Sequence, residues 1–526
     1  NKPMNKRGFH RAFAVLLAVF LMLTGISLNA TAETAVAQVG EQTYSSLADA
    51  VSAVNEDKGA EPLSLTLLTD VVVETAKFTV SRGNVMIDGG GHTLTVTGNA
   101  KNDIVLTVTG ANANVRNLNI KTNFGGICQA GTGTSVIENV SIIAPDSMAN
   151  SRALFLIAGN ASGELNVTIR NCKGRSGKAP TCQFGVNAAG GTVANKVNAV
   201  LENNHFVNPA DYGRCIDVRG AGCNITAESG YYQTNSTAVF RVWAGELTVN
   251  GGIYYLAGNG DVLLAAEKYD AATGGKITVN DGVFVSKSGT SDKVGCVYSA
   301  NGTAIVNGGT FAMIGSASSY LAAKCGATEI PFPEGANVLA YNKPSTPTMS
   351  IGAAARITTA NGLLFTSTVS KAVADNAAAL LEAMKAFETE ESPATLTYGT
   401  LICPEESLTG PGGSQVEFSV RGLAGAVDAV YWNIPATAAG IDTDADGNMT
   451  YRVAITNIPE NMESTRFCAV SYIMLSAGTV TFYFYSTYSA VDNSRSIADV
   501  SAKALADTSQ SFTADEKEIL QATAAN

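Results

Sequence analysis

The sequence predicts a mainly β protein: a column of stacked strand-and-turn coils, sealed at its start by a helix and followed by a smaller α+β domain. Three observations carry this. First, a strand–turn–strand signature recurs. Leu247–Tyr254 reads Leu-Thr-Val-Asn-Gly-Gly-Ile-Tyr, Ile277–Phe284 reads Ile-Thr-Val-Asn-Asp-Gly-Val-Phe, Ala304–Phe311 reads Ala-Ile-Val-Asn-Gly-Gly-Thr-Phe, and Ile225–Tyr232 reads Ile-Thr-Ala-Glu-Ser-Gly-Tyr-Tyr. Looser copies lie at 114–120, 135–142, 167–174 and 199–206. Taking Arg116, Glu138, Arg170, Glu202, Glu228, Asn250, Asn280 and Asn307 as equivalent, the spacings are 22, 32, 32, 26, 22, 30 and 27 residues. A repeating unit of that size, all strand and turn, is a stacked array. Second, only 15% of residues are charged and 52 are glycine, a mixture that suits short strands and tight turns. Third, the pattern stops near residue 341, and helical periodicity appears beyond it.

Residues 1–32 read as a signal peptide. Lys6, Arg7 and Arg11 precede an apolar run from Ala12 to Leu23, and Ala30-Thr31-Ala32 is an Ala-x-Ala cleavage site. The expected location is therefore extracellular or at the cell surface, with no membrane span in the mature chain. Loss of Lys2, Lys6, Arg7 and Arg11 takes the formal charge from −11 to −15, since no acid lies before Glu33. No basic tract follows, which excludes nucleic acid as an expected partner.

Residues 33–62 form the expected N-terminal cap. Ser45 or Ser46 starts a helix over Ser46–Asn55 with Leu47, Ala50, Val51 and Val54 on one face. Laid over the first coil, it covers exposed core and an unpaired strand edge. Residues 63–340 are the stacked column. Leu247, Val249 and Ile253 are expected to point inward, as are Ile305 and Phe311. The turn asparagines are expected to take left-handed backbone and to bond along the stack.

Three stretches carry a resemblance. Thr-Tyr-x-x-Leu-x-x-Ala-Val from Thr43, Leu-Thr-Leu-Leu-x-Asp-Val from Leu65, and Ile-Asp-Gly-Gly-Gly-His-Thr-Leu from Ile87 resemble the opening of secreted right-handed parallel β-helix proteins. That group includes the pectate-lyase-like family and many surface proteins of gut Firmicutes. The resemblance spans roughly residues 36–340 and implies the right-handed parallel β-helix fold; many such proteins are not enzymes.

A second strand series runs between the signature turns: Ala153–Ala158, Phe184–Ala188, Ile216–Gly220, Phe240–Ala244, Val262–Ala266 and Gly295–Ala300. Aligning Phe184, Ile216 and Phe240 makes the outward pairs Gly185 with Asn187, Asp217 with Arg219, and Arg241 with Trp243. Neighbouring coils lie about 4.8 Å apart. Asp217, Arg219, Arg241 and Trp243 are therefore expected together on one outer face, beside groove-walling loops at 175–180, 208–213 and 268–275. Trp243 offers a ring for sugar stacking, and the arginines and Asp217 offer bonds to hydroxyls or a uronate. The plainer expectation is a solvated Asp–Arg ladder that costs and gains little. Tyr231, Tyr232, Tyr254 and Tyr255 extend an aromatic strip, some of it inward.

Residues 341–348, with Pro344 and Pro347, read as a linker, and 349–526 as the α+β domain. Its expected strands are Gly362–Thr368, Gln415–Val420, Met449–Asn457, Phe467–Leu475 and Thr479–Ser486. Its expected helices are Val373–Glu388, Ser494–Ala506 and Ala514–Ala522, the last opened by a Thr513/Glu516 capping box. Ala355-Arg356-Ile357 with Gly362-Leu363-Leu364-Phe365, Tyr398-Gly399-Thr400-Leu401-Ile402, and Asp492-Asn493-Ser494-Arg495-Ser496-Ile497-Ala498 resemble a C-terminal accessory module of large extracellular Firmicutes proteins, which implies no activity.

Chemistry-bearing patterns are sparse. His92 and His205 sit in coil turns and read as structural, which disfavours a Ser-His-Asp or Cys-His hydrolase. The paired-acid motifs of polygalacturonases are missing, as are the arginine and tryptophan motifs of pectate lyases. Asp442–Gly447 mimics a calcium loop, but its twelfth position is Val453 and Asp-Gly between strands is an ordinary turn. No metal or cofactor is called for. The nine cysteines read as small buried residues; one disulfide, Cys172–Cys182 or Cys215–Cys223, is compatible with spacing. The expected function is glycan binding or adhesion, with a polysaccharide or host glycan as partner. The alternatives are a polysaccharide lyase or glycoside hydrolase acting on uronate polymers, and a structural stalk.

Overall fold

The structure, a computed structural model, describes residues 34–525 apart from 99, 101, 145–151, 187–195, 211–212, 236, 259–261, 267–273, 287–295, 300–301, 314–320, 326, 335, 341–345, 358–359 and 479. The leader, Asn187 and most of the linker and of the 268–275 loop lie outside the described residues.

Successive coils each give one strand to each of three long sheets, and the strands of a sheet stack in chain order. The first sheet runs from Leu63–Leu67 to Thr303–Val306, the second from Val71–Val73 to Asn337–Ala340, the third from Phe78–Val80 to Ala323–Cys325. Pairing within these stacks is parallel, which makes the column a parallel β-helix. By contact density the chain forms two compact units: 1–234 with 240–248 and 267–276, and 235–239 with 249–266 and 277–526.

In the first unit the helix Leu47–Glu56 is capped by Ser46, whose hydroxyl accepts from the Asp49 amide. Its Leu47, Ala50, Val51 and Val54 are buried against the strands at 37–39, 63–67 and 78–80. The repeat alignment holds: Arg116 pairs with Glu138, Glu138 with Arg170, and Arg170 with Glu202. The left-handed residues are the ones that follow, Asn117, Asn139, Asn171 and Asn203, with φ between 50° and 54°. Asparagine tolerates this region better than other side-chain-bearing residues. Their amides bond along the stack, Asn139 to Asn117 at 3.2 Å and Asn203 to Asn171 at 2.8 Å. The interior carries an aromatic run, Phe155, Phe206, Tyr232 and Phe240, with ring centroids 5.2–6.1 Å apart.

In the second unit the left-handed position falls instead on Gly252, Gly282 and Gly309. Asn250, Asn280 and Asn307 are not left-handed; they form the ladder, Asn280 to Asn250 at 2.9 Å and Asn307 to Asn280 at 2.8 Å. Two inward assignments are corrected. Ile305 is 41% exposed between buried Ala304 and Val306, and Ile253 is only half-buried beside buried Tyr254. Ile305 takes the place of Thr248 in the repeat, and the glycine turn resets the alternation so that Tyr254, Phe284 and Phe311 point inward. Those three rings stack at 4.9 and 5.1 Å.

The same unit holds a smaller domain of two antiparallel sheets with helices. Strand Gly362–Val369 pairs with Met449–Thr456, and Thr395–Pro404 with Phe467–Ala477. Thr348 already belongs to its first strand, paired to Thr368. The expected strand Gln415–Val420 is not one: Val420 opens a helix, Val420–Gly425, capped by Ser419. Apolar Val416 and Phe418 from the loop, and Val420 from the first turn of the helix, pack over Leu401, Cys403 and Val470 instead. Longer helices are Lys371–Met384, Ile497–Ala506 and Ala514–Ala524, and the Thr513/Glu516 capping box is formed. Tyr255, on the outer face of the second sheet, meets Phe387 and Phe482 at 5.7 and 5.9 Å, so it is covered by the smaller domain.

Candidate functional site

The third sheet builds the site. Its strands are Cys182–Phe184, Arg214–Val218 and Ala238–Val242 in the relevant coils, beginning about two residues earlier than the sequence pattern placed them. Phe184 pairs with Val218, not Ile216, so the register is displaced by two. A two-residue slip keeps every side chain on its face. Asp217 therefore still points outward, but its neighbour is Gln183. The Trp243 amide donates to the Val218 carbonyl at 2.8 Å, which sets Arg241 beside Asp217.

The four predicted residues do meet. Arg219 donates from Nε and Nη2 to Oδ2 of Asp217 at 2.8 and 2.6 Å. The Trp243 indole Nε1 donates to Oδ1 at 3.0 Å. The Arg241 guanidinium lies 4.7 Å from the Trp243 ring centroid. A fifth residue joins them: Arg214 Nε stands 3.4 Å from Oδ2. Alternation does not mark Arg214, because it lies before the point where the strand was expected to start. Its carbonyl is held by Asn208, whose Nδ2 also donates to Ala179 at 2.9 Å and so ties down the 175–180 loop.

The solvated ladder is corrected. Asp217 is fully buried, while Arg214 and Arg219 keep 22% and 20% of their side chains exposed. A buried carboxylate needs such partners, because the attraction must offset the loss of hydration. Both of its oxygens accept hydrogen bonds, so Asp217 is placed to orient its neighbours. The outward chemistry belongs to the guanidiniums and the indole, all partly exposed. A guanidinium carries five N–H donors in a planar fork that matches a carboxylate, and Arg219 spends two of them on Asp217. Cation–π contact from Arg241 is worth roughly 0.5–2 kcal/mol and pairs the guanidinium with the indole.

Elsewhere, His205 stacks on Tyr231 at 4.7 Å on the outer face of the second sheet, in a column with Lys173. The stacked, partly dehydrated ring and the Lys173 ammonium lower the imidazole pKa. Tyr232 and Tyr254 are core residues. Within Asp442–Gly447, Asp442 and Thr443 end a strand and the rest lies in the hairpin turn between strands 441–443 and 449–456, closed by Asp444 accepting from the Asp446 and Asn448 amides. All nine cysteines are free thiols, so neither Cys172–Cys182 nor Cys215–Cys223 is bridged. Among the described residues no helix is long and apolar enough to cross a membrane, and no protein-family model matches the sequence, nor does any curated protein at significant similarity.

Proposed function

We propose that this is a secreted or cell-surface β-helix protein that binds an acidic glycan on the outer face of its third sheet. The stacked-strand architecture fits a surface or carbohydrate-acting protein. The leader-like N-terminus supports export. The observation that carries the ligand class is the Trp243–Arg241–Arg219 strip, an indole braced by the buried Asp217 and flanked by guanidinium forks. A sugar ring has a flat apolar face for the indole, and a uronate carboxylate has the geometry of the fork.

A panel of uronate polymers and neutral glucans, tested by isothermal titration calorimetry, decides the matter. Wild-type binding to a uronate polymer is expected to weaken at least tenfold, about 1.4 kcal/mol, in Trp243→Ala and in Arg241→Gln. It should also weaken with salt, as a charge-dependent contact must. Absence of binding across the panel, or equal binding by both variants, removes the proposal. Full engagement of Asp217 also favours a second reading, a structural clamp within a stalk. Under that reading the variants lose stability without any ligand being found.

A further inference from the structure

The smaller domain contains a pair of thiols that the function above does not use. In the antiparallel pairing of Thr395–Pro404 with Phe467–Ala477, Cys403 stands directly opposite Cys468. Both side chains are completely buried. Directly opposed residues in such a pair have Cα atoms about 4.5–5.5 Å apart. That interval lies inside the range of about 4.4–6.8 Å that a disulfide spans. Both side chains lie on the same face, packed in one cluster with Leu401, Val470 and Tyr472, and they are within hydrogen-bonding reach of each other. The Tyr488 hydroxyl stands 3.0 Å from the Cys468 sulfur. Among the described residues, no other two cysteines stand directly opposite each other in an antiparallel strand pair. Cys172 and Cys215 point their thiols at backbone carbonyls, of Ile137 and Arg170 and of Phe206 respectively.

We propose that Cys403 and Cys468 are a dithiol site that a low-molecular-weight disulfide or a thiol–disulfide oxidoreductase converts to a cross-strand disulfide. Contact with Cys403, and then Tyr488, draws the Cys468 thiol below its usual range, while Cys403 is pushed up by the same contact and by burial. Cys468 is thus the attacking sulfur. Its thiolate attacks one sulfur of the external disulfide, and one external thiolate leaves. The Cys403 sulfur gives up its proton and attacks the Cys468 sulfur of the mixed disulfide. The Cys403–Cys468 bond forms and the second external thiolate leaves. Two protein thiols are oxidised, one external disulfide is reduced, and the two protons pass to the two released thiolates. Because the pair is covered by the 405–431 excursion, with Leu408, Val416 and Phe418 on the cluster, the reaction belongs to folding or to local opening of that segment.

The test uses the full chain, refolded from denaturant with oxidised glutathione as the probe, then denatured, alkylated and mapped by mass spectrometry. The expected result is a fall from nine alkylatable thiols to seven, with a dithiothreitol-sensitive peptide joining Cys403 to Cys468. The Cys403→Ser variant should instead carry glutathione on Cys468. Nine alkylatable thiols in the refolded wild type would overturn the proposal, as would a bridge between any other pair. If Cys403→Ser fails to fold, the wild-type peptide map alone still decides it.

Discussion

Replacing Asp217 with alanine is expected to destabilise the third-sheet clamp severely. The carboxylate accepts two bonds from Arg219 and one from Trp243, stands beside Arg214, and is fully buried. Removing one partner of a buried ion pair strands the other charge and costs about 3–5 kcal/mol. For a folding unit of this size, each kcal/mol shifts Tm by about 2–4 °C, so the melt should fall by about 6–20 °C. Asp217→Asn should cost less, because it keeps an oxygen for the indole N–H. The assay is urea unfolding followed by circular dichroism and by Trp243 fluorescence. Trp432→Phe makes Trp243 the only tryptophan, since the chain has two. Coincident transitions by the two probes would show that the clamp unfolds with the column. In a double-mutant cycle with Arg219→Ala, the coupling should reach about 0.5–3 kcal/mol. A loss under about 0.5 kcal/mol in Asp217→Ala would refute the reasoning, because that is the behaviour of a solvated surface pair.

Two further outcomes are expected. Val306→Asp should unfold the last coils, because an unpaired charge would enter the interior, while Ile305→Asp should stay within about 0.5 kcal/mol of wild type in a denaturant melt. The second concerns pH. The fold lowers the His205 pKa, so the unfolded chain takes up a proton first as pH falls. This stabilisation is whole above the ordinary imidazole value of about 6.5 and is lost progressively below it. His205→Gln should flatten the decline in stability between pH 7 and 5, and an unchanged decline would assign it elsewhere.

Much of the column was legible because its repeat is written in side chains that must stack. The equivalence of Arg116, Glu138, Arg170 and Glu202 could be read from spacing, and the pairing follows it. The site came through for a different reason: alternation survives a two-residue slip, so the misplacing of Phe184 against Ile216 left Asp217 on its proper face. What alternation cannot report is cover from distant residues. Asp217 was expected in water because Arg214 could not be assigned to its side, and Tyr255 is covered by Phe387 and Phe482 from the other end of the chain. The Val416–Val420 stretch alternates like a strand, but it folds as a loop leading into a helix, and its apolar residues cover the Cys403 face.

The outward charges of the first sheet have a consequence for how such a column can lengthen or shorten. Asp88, Arg116, Glu138, Arg170 and Glu202 lie one above another with alternating sign. Excising the one coil that carries Arg116 would set Asp88 against Glu138, like against like, whereas excising that coil with the next restores the checkerboard. Each contact is partly exposed and worth about 1 kcal/mol or less, so the rule is soft, and it ends at Glu202, whose neighbour in the next coil is Glu228, like beside like.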